Sequence, residues 1–408
     1  MAKPNLILGD CLEVLKTFPD NSFDAIVTDP PAGISFMNKS WDHDKGGRDQ
    51  WIAWLAEIMK ECLRVLKPGG HGFVWALPRT SHWTGIALED AGFEIRDRVV
   101  HIFGSGFPKS ASIPLALDKQ FNAIGDRGEA FCTAGAGERK DIQGVPGAYG
   151  MSYDTPITDA AKQYNGFGTA LKPAIEDYWL IRKPLSESTI AKNVLKYGTG
   201  GINIDACRVG VGEKVPGDGK SKRGANSGGV YGDGEAPENA KPHTMGRWPA
   251  NLILGCACDG EVHDPDCVVV MLDKQSGVSK STGGRTANIS KTSKIYGNGK
   301  GLGQNKNVED VRGDPGLGDC GGASRFFYCV KASKAERGEG NVHPTVKPLK
   351  LMRYLCKLVT PTNGHVLDLF MGSGTTGLAC QAEGFAFTGI EQSPEYLQVA
   401  WNRLCKAK

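Results

Sequence analysis

No run of apolar residues in this 408-residue chain approaches membrane-spanning length, which argues against a helical membrane protein. The start, MAKPNLILGD, lacks the apolar core and cleavage site of a secretory signal, so a cytoplasmic location is expected. Charge of one sign is also scarce: the formal net charge of +3 does not announce nucleic acid, and any basic surface must be local. The 55 glycines and 22 prolines make up under a fifth of the chain, too few for a wholly disordered one. Twelve cysteines without a secretory signal read as reduced thiols rather than as a disulfide framework. The length allows one large α/β domain with an insertion, or two domains.

The most informative stretch lies late, at Val366–Cys380, VLDLFMGSGTTGLAC. The apolar run Val366–Phe370 has the pattern of a buried strand, Met371–Gly374 is a turn, and Thr375 opens a helix. Glycine lets the main chain approach a ligand, and the helix N-terminus offers it N–H groups. Asp368 and Phe370 fall at the strand's carboxyl end, where open α/β sheets bind ligands. Glu391 follows Gly372 by 19 residues, after the apolar run Phe385–Ile390, where an acid can reach a ribose. A phosphate-binding loop is excluded, because Leu378 stands where its lysine would be. The spacing Gly372, Gly374, Gly377 fits a dinucleotide site, but an ordinary strand–turn–helix explains it as well.

Earlier in the chain, Asn5–Leu8 reads as a strand ending at Gly9-Asp10, and Cys11–Phe18 as a helix. The strand Phe23–Thr28 runs into Asp29-Pro30-Pro31-Ala32-Gly33, where two prolines force an extended backbone out of the ladder. An acid on so rigid a turn suits precise positioning. A helix over Asp49–Leu66 is expected to stop at Lys67-Pro68-Gly69-Gly70, with strands at His71–Leu77 and Phe93–Phe103. Trp51 and Trp54 are assigned to packing. Leu349, Met352, Leu355, Cys356 and Val359 form a core-facing helical stripe after Pro348.

Asp-Pro-Pro and FMGSGTTG together resemble the S-adenosylmethionine-dependent DNA amino-methyltransferases. The catalytic motif precedes the cofactor motif, as in the circularly permuted β group of that family. GDCLEVL at Gly9–Leu15, KPGG at Lys67–Gly70, GSGFPKS at Gly104–Ser110, LKPAIEDYWLIRKPL at Leu171–Leu185 and HPTVKP at His343–Pro348 match as well. The pattern Phe36-Met37-Asn38-Lys39-Ser40-Trp41-Asp42 resembles that of phage and prophage members carrying FMxKxWD.

The resemblance implies roles residue by residue. Asp29 accepts a hydrogen bond from the amine of a flipped base and the Pro30 carbonyl a second, while Pro31 and Ala32 complete the catalytic motif. Asp10 and Cys11 bracket the adenine of S-adenosylmethionine, and Glu391 takes its ribose hydroxyls. Asp368, Phe370, Gly372, Ser373, Gly374, Thr375 and Thr376 line the methionine side, and Asp29 borders the same cavity. Residues 343–348 close over that end. Ala32 departs from the family, which has an aromatic residue there for the base to stack on. Phe36 or Trp41 is expected to supply the stack instead.

The fold this implies is an α/β doubly wound, Rossmann-like methyltransferase sheet, circularly permuted, with an inserted target-recognition region. Residues 1–185 form the catalytic half, 186–323 the insertion and 324–408 the cofactor half. The insertion is rich in Gly, Ser, Asn and Lys. Lys274, Lys280, Arg285, Lys291, Lys294, Lys300, Lys306 and Arg312 are set against only Glu309 and Asp310, a pattern suited to DNA phosphates. Cys256, Cys258, His263 and Cys267 could close a zinc site, but their spacing departs from the C-x2-C knuckle and ordinary buried thiols are preferred.

The expected activity is therefore adenine-N6 methylation of double-stranded DNA with S-adenosylmethionine, by a monomer or homodimer with no membrane partner. Cytosine-N4 methylation, and an attenuated cofactor- and DNA-binding protein, are the alternatives. An NAD-dependent oxidoreductase would leave Asp-Pro-Pro unexplained.

Overall fold

The computed structural model of the chain describes residues 3–35, 40–103, 110–123, 131–132, 151–152, 156–210, 246–256, 258, 263–265, 267–280, 319–331 and 346–405, with the backbone alone at 40, 131, 132, 151, 152, 280 and 331. Short apolar runs, each closed by a polar or glycine turn, become strands. β1 (Asn5–Leu8) leads into α1 (Cys11–Leu15), which Asp10 caps by accepting from the Leu12 and Glu13 N–H groups at 2.9 and 3.3 Å. β2 (Phe23–Thr28) is buried along its whole length, Asp24 and Thr28 included, as a strand covered on both faces must be. α2 (Arg48–Val65), β3 (Leu66–Ala76), α3 (Ser81–Asp90) and β4 (Glu94–Phe103) follow. Next come α4 (Ile113–Gln120), β5 (Phe131–Cys132), β6 (Met151–Ser152), α5 (Asp159–Gln163), β7 (Ile175–Arg182) and α6 (Ile190–Tyr197). Then β8 (Leu252–Cys256), α7 (Val268–Ser276), β9 (Ser279–Lys280), β10 (Cys320–Gly321) and β11 (Tyr328–Lys331). The chain closes with α8 (Leu349–Val359), β12 (His365–Asp368), α9 (Thr375–Glu383), β13 (Ala386–Glu391) and α10 (Pro394–Cys405).

Nine strands form one sheet in the order β1-β13-β12-β2-β3-β7-β4-β8-β11. From β1 to β3 neighbours run parallel, β7 is antiparallel to β3, and β8 and β11 are parallel, so the sheet is mixed. Side chains alternate between two cores. Ala25, Val27 and Val366 join residues of α8, α9 and α10, while Ile26 and Leu367 join those of α1, α2 and α3. Helices therefore cover both faces.

The start of β3 differs from the expected one. The strand expected from His71 begins at Leu66 and takes in Lys67-Pro68-Gly69-Gly70. The reason is tertiary: the Pro68 carbonyl accepts from Asn193 Nδ2 at 2.8 Å and Thr199 Oγ1 at 2.6 Å, while Gly69, at φ +76°, lies where a Cβ would strike the Asn193 amide. Within residues 186–323, β8 enters the main sheet beside β4.

The chain divides into two compact units, residues 1–102 with 176–408, and Phe103–Ile175. In the second, buried Asp118 accepts from the N–H groups of Ile157 and Thr158 and from the Thr158 hydroxyl, joining α4 to α5. Among the described residues no helix is long and apolar enough to cross a membrane.

Candidate active site

β2 and β12 lie side by side and end together, which brings the two motifs onto one sheet edge. The Thr28 hydroxyl donates to Asp368 Oδ1 at 2.8 Å and accepts from the Leu369 N–H at 3.2 Å. The Phe370 N–H also reaches Asp368 Oδ1, at 3.2 Å. Burial outweighs these donors and pushes the Asp368 carboxyl up to about 7.

The glycine turn is held from two sides. Gly372 and Gly374 take φ +53° and +80°, and a Cβ on Gly374 would press on Leu404 and Ala400 at 3.0 and 3.1 Å. Behind it, Arg403 donates to the Ser373 carbonyl at 2.6 Å, the Ser373 hydroxyl at 2.9 Å and the Thr375 hydroxyl at 3.1 Å. In front, Glu391 accepts from the Gly372 N–H through Oε2 and from the Ser393 N–H through Oε1, each at 2.8 Å. Burial raises the Glu391 carboxyl above its ordinary range against the pull of those N–H groups. Asp10 and Cys11 adjoin it, because β1 pairs with β13 and the Gly9 N–H donates to the Glu391 carbonyl at 3.0 Å. Cys11 is buried, which pushes its thiol up to about 12, so it presents a neutral thiol.

Asp29, one residue beyond β2, faces a cation that the sequence reading assigned no charge role. Lys347 Nζ stands 3.4 Å from Asp29 Oδ2 and 3.3 Å from Glu176 Oε1, and 3.9 Å above the Trp75 ring. His101 Nδ1 lies 3.5 Å from Glu176 Oε2, and the Tyr178 hydroxyl donates to the same oxygen at 3.4 Å. Burial raises the Asp29 carboxyl; Lys347 opposes this and the Glu176 charge adds to it. Burial would also raise Glu176, but Lys347 and then His101 bring it down to about 2. Lys347 itself is raised: burial lowers it, and Asp29 and Glu176 more than compensate. The net result is one cation balancing two carboxylates. Lys347 sits in the HPTVKP run and Glu176 in LKPAIEDYWL, yet no local pattern marks them as partners 171 residues apart.

The loop after Asp29 is fixed by side chains. Asp42 accepts from the Gly33 N–H at 3.0 Å and the Ile34 N–H at 3.4 Å, and Thr80 donates to the Ala32 carbonyl at 3.1 Å. Gly33 takes φ +69°, and a Cβ there would meet the Trp51 indole at 2.6 Å. Trp51 thus supports the Asp29 loop directly. Trp54 extends the aromatic packing to Phe370, with ring centroids 6.0 Å apart. Trp41 is half-buried, and its indole nitrogen is buried without a hydrogen-bond partner among the described residues.

Some expected site residues fall elsewhere. Phe36, Arg285, Lys291, Lys294, Lys300, Lys306 and Arg312, the segments 104–109 and 343–345, and the Lys280 side chain lie outside the described residues. Lys274 is exposed on α7. Cys256, Cys258, His263 and Cys267 come together away from this edge, around the end of β8 and the start of α7.

Acids at the ends of adjacent parallel strands, with a glycine turn entering a helix, define an α/β protein with a ligand site on its sheet edge. The chain belongs to the DNA methylase family of N6/N4 type, whose profile matches residues 23–124 and 153–402. S-adenosylmethionine is that family's cofactor. The chain is similar to the type II methyltransferase M.BamHI of Bacillus amyloliquefaciens, 39% identical over 188 residues, covering 44% of this chain and 40% of that protein. It is also similar to M.Cfr9I of Citrobacter freundii, 44% identical over 99 residues, covering 20% of this chain and 33% of that protein. The chain thus spans well under two-thirds of these relatives. Among solved structures, the PvuII DNA methyltransferase (cytosine-N4-specific) matches with a TM-score of 0.43 at 15% identity, covering 99% of this chain and 86% of that one. The M1.HpyAVI–SAM complex matches with a TM-score of 0.39 at 18% identity, covering 98% of each. Family membership rests on the profile match.

Proposed function

We propose that this chain methylates the exocyclic N6 of adenine in double-stranded DNA, with S-adenosylmethionine as donor. The observation that carries the reading is Asp29, a carboxylate fixed at the end of β2 beside the glycine turn and backed by Lys347. The site suits the cofactor. Glu391 is a rigid, buried acceptor whose two N–H partners leave lone pairs for a ribose, and the glycine turn lets the main chain approach. Phe370 supplies an apolar wall. When bound, S-adenosylmethionine supplies an electrophilic methyl group on a sulfonium.

The chain's own contribution is to prepare the amine. An exocyclic amine is a weak nucleophile because its lone pair is conjugated with the base. Asp29 accepts a hydrogen bond from it and the Pro30 carbonyl a second, drawing the nitrogen toward tetrahedral geometry. Lys347 opposes the rise that burial imposes on Asp29 and so favours the anionic acceptor, and positioning carries much of the rate. The base must leave the duplex to reach this edge. The basic run that includes Lys274 meets the phosphates. Aspartate rather than serine before Pro-Pro favours adenine over cytosine.

Ala32 offers no ring, so the stack on the flipped base falls to Trp41, next to the Asp42 that secures Gly33 and Ile34, or to Phe36. A base–aromatic stack is worth about 1–3 kcal/mol, or roughly 5- to 150-fold in kcat/KM. Trp41→Ala or Phe36→Ala is expected to lower kcat/KM on that scale, whereas Ala32→Tyr keeps it at least intact. Steady-state kinetics with both alanine variants near wild type would show that neither ring serves.

The reaction is tested by incubating the protein with unmethylated DNA and labelled S-adenosylmethionine and identifying the digested nucleosides by mass spectrometry. N6-methyladenine is the expected product. N4-methylcytosine would retain the chemistry and change the base. Cofactor binding with no methylated nucleoside would point to an attenuated protein.

A further inference from the structure

Apart from the active-site edge, one group of side chains among the described residues has the composition and spacing of a closed metal centre. The ligand atoms of Cys256, Cys258, His263 and Cys267 all lie within 4.8 Å of one another, and the three cysteines are buried. Cys256 Sγ is 3.1 Å from His263 Nδ1 and 3.5 Å from Cys267 Sγ, and Cys267 Sγ is 3.5 Å from His263 Nδ1. A tetrahedral zinc ion has sulfur–sulfur edges of about 3.8 Å and sulfur–nitrogen edges of about 3.6 Å, from its usual bond lengths. The observed separations approach those edges and are far beyond a disulfide bond.

The hydrogen bonds point the same way. A thiol ordinarily donates, as buried Cys207 does to the Tyr354 carbonyl at 3.9 Å and exposed Cys329 to the Phe327 carbonyl at 3.6 Å. Here sulfur is the acceptor: the Cys258 N–H points at Cys256 Sγ at 3.4 Å and the Asp264 N–H at Cys258 Sγ at 3.2 Å. Cys267 stands at the N-cap of α7. N–H donors on two adjoining sulfurs are the environment of thiolates, and clustered thiolates require a cation.

We propose that Cys256, Cys258, His263 and Cys267 bind one structural zinc ion that joins the end of β8 to the start of α7. With four protein ligands the site is closed and has no position for substrate. The local need is clear, because the surrounding apolar cluster is small, with Leu254 and Val269 as its buried aliphatic members. Fixing α7 also fixes what α7 holds. Its Asp273 accepts from the Ser324 N–H and hydroxyl, each at 2.7 Å, and Ser276 accepts from the Ala323 N–H at 2.9 Å. These contacts secure the β9–β10 pair, between whose strands residues 281–318 run. The ion would therefore anchor both ends of the basic segment, independently of the reaction proposed above.

The test is metal analysis of the full-length protein, purified under reducing conditions without chelator or added metal. One zinc per chain is expected, falling to background in Cys256→Ser/Cys258→Ser and unchanged in Cys329→Ser. Should the double variant fail to fold, the wild-type chain still decides. Cobalt(II) exchanged into it should give the intense visible bands of a tetrahedral, sulfur-ligated ion, and zinc should then bleach them. Absence of stoichiometric zinc together with absence of those bands would overturn the site. So would iron in place of zinc, or a Cys256–Cys267 disulfide trapped at lysis and mapped by mass spectrometry.

Discussion

Asp29→Asn is expected to lower methyl transfer roughly 10²–10⁴-fold, the range for losing a positioned acid–base group, while leaving S-adenosylmethionine affinity nearly unchanged. Asparagine matches aspartate in shape, so the Pro30-Pro31 turn and the Thr80 bond to Ala32 survive. What it removes is the anionic acceptor. Its NH2 group would meet the target amine donor to donor, and Lys347 would lose one of its two carboxylates. Single-turnover kinetics beside calorimetric titration of the cofactor separates the chemical step from binding. A variant within tenfold of wild type would mean that Asp29 is not the acceptor of the amine proton.

The second large effect concerns Lys347, and it depends on pH. The acceptor works only when Asp29 is ionised. Burial raises its pKa and Lys347 opposes that rise, so removing the lysine must raise it further. In Lys347→Met the acid limb of the kcat/KM profile should therefore move to higher pH. Below neutrality the loss should reach about tenfold or more, the scale on which an opposite charge at this distance acts. At alkaline pH, where Asp29 is ionised in both proteins, the gap should narrow. Stability should fall as well. Breaking a buried ion pair costs about 3–5 kcal/mol, and less here because Asp29 and Glu176 keep 30% and 23% of their side-chain surface. Lys347→Arg should restore the charge and part of the pH profile, which a merely structural lysine would not. A parallel drop at every pH would assign Lys347 to packing alone.

These two residues mark how far sequence reasoning reached. Asp29 was visible because its signal is local: an apolar strand, an acid and two prolines in direct succession. Gly372, Gly374 and Glu391 were visible for the same reason, since strand–turn–helix and the next strand repeat within one short unit. Lys347 lies within the HPTVKP run, but its charge has no partner in its own stretch of sequence. Glu176 opens an apolar run and looks there like an ordinary strand-end acid. They meet because β7 lies antiparallel beside β3 in the sheet, a pairing that no periodicity encodes.

The cysteine cluster makes the same point. Its spacing in the chain departs from the common knuckle, and on spacing alone buried thiols were the simpler account. Four ligand atoms within 4.8 Å of one another change that, because donors converge through the β8–α7 geometry and not through sequence interval. Trp51 was rightly placed in packing, but only the fold locates that packing under Gly33, where it shapes the loop that carries Asp29.

By itself, then, the sequence determined the short-range features: which runs are strands, where glycine turns break them, and which family the motifs resemble. These follow from steric limits and hydrophobic period, which act over a few residues. The tertiary structure decided which strands are neighbours, which charges face one another and which thiols converge. Those depend on strand order and on burial, through which distant residues come to share a low-dielectric site where one lysine faces two carboxylates.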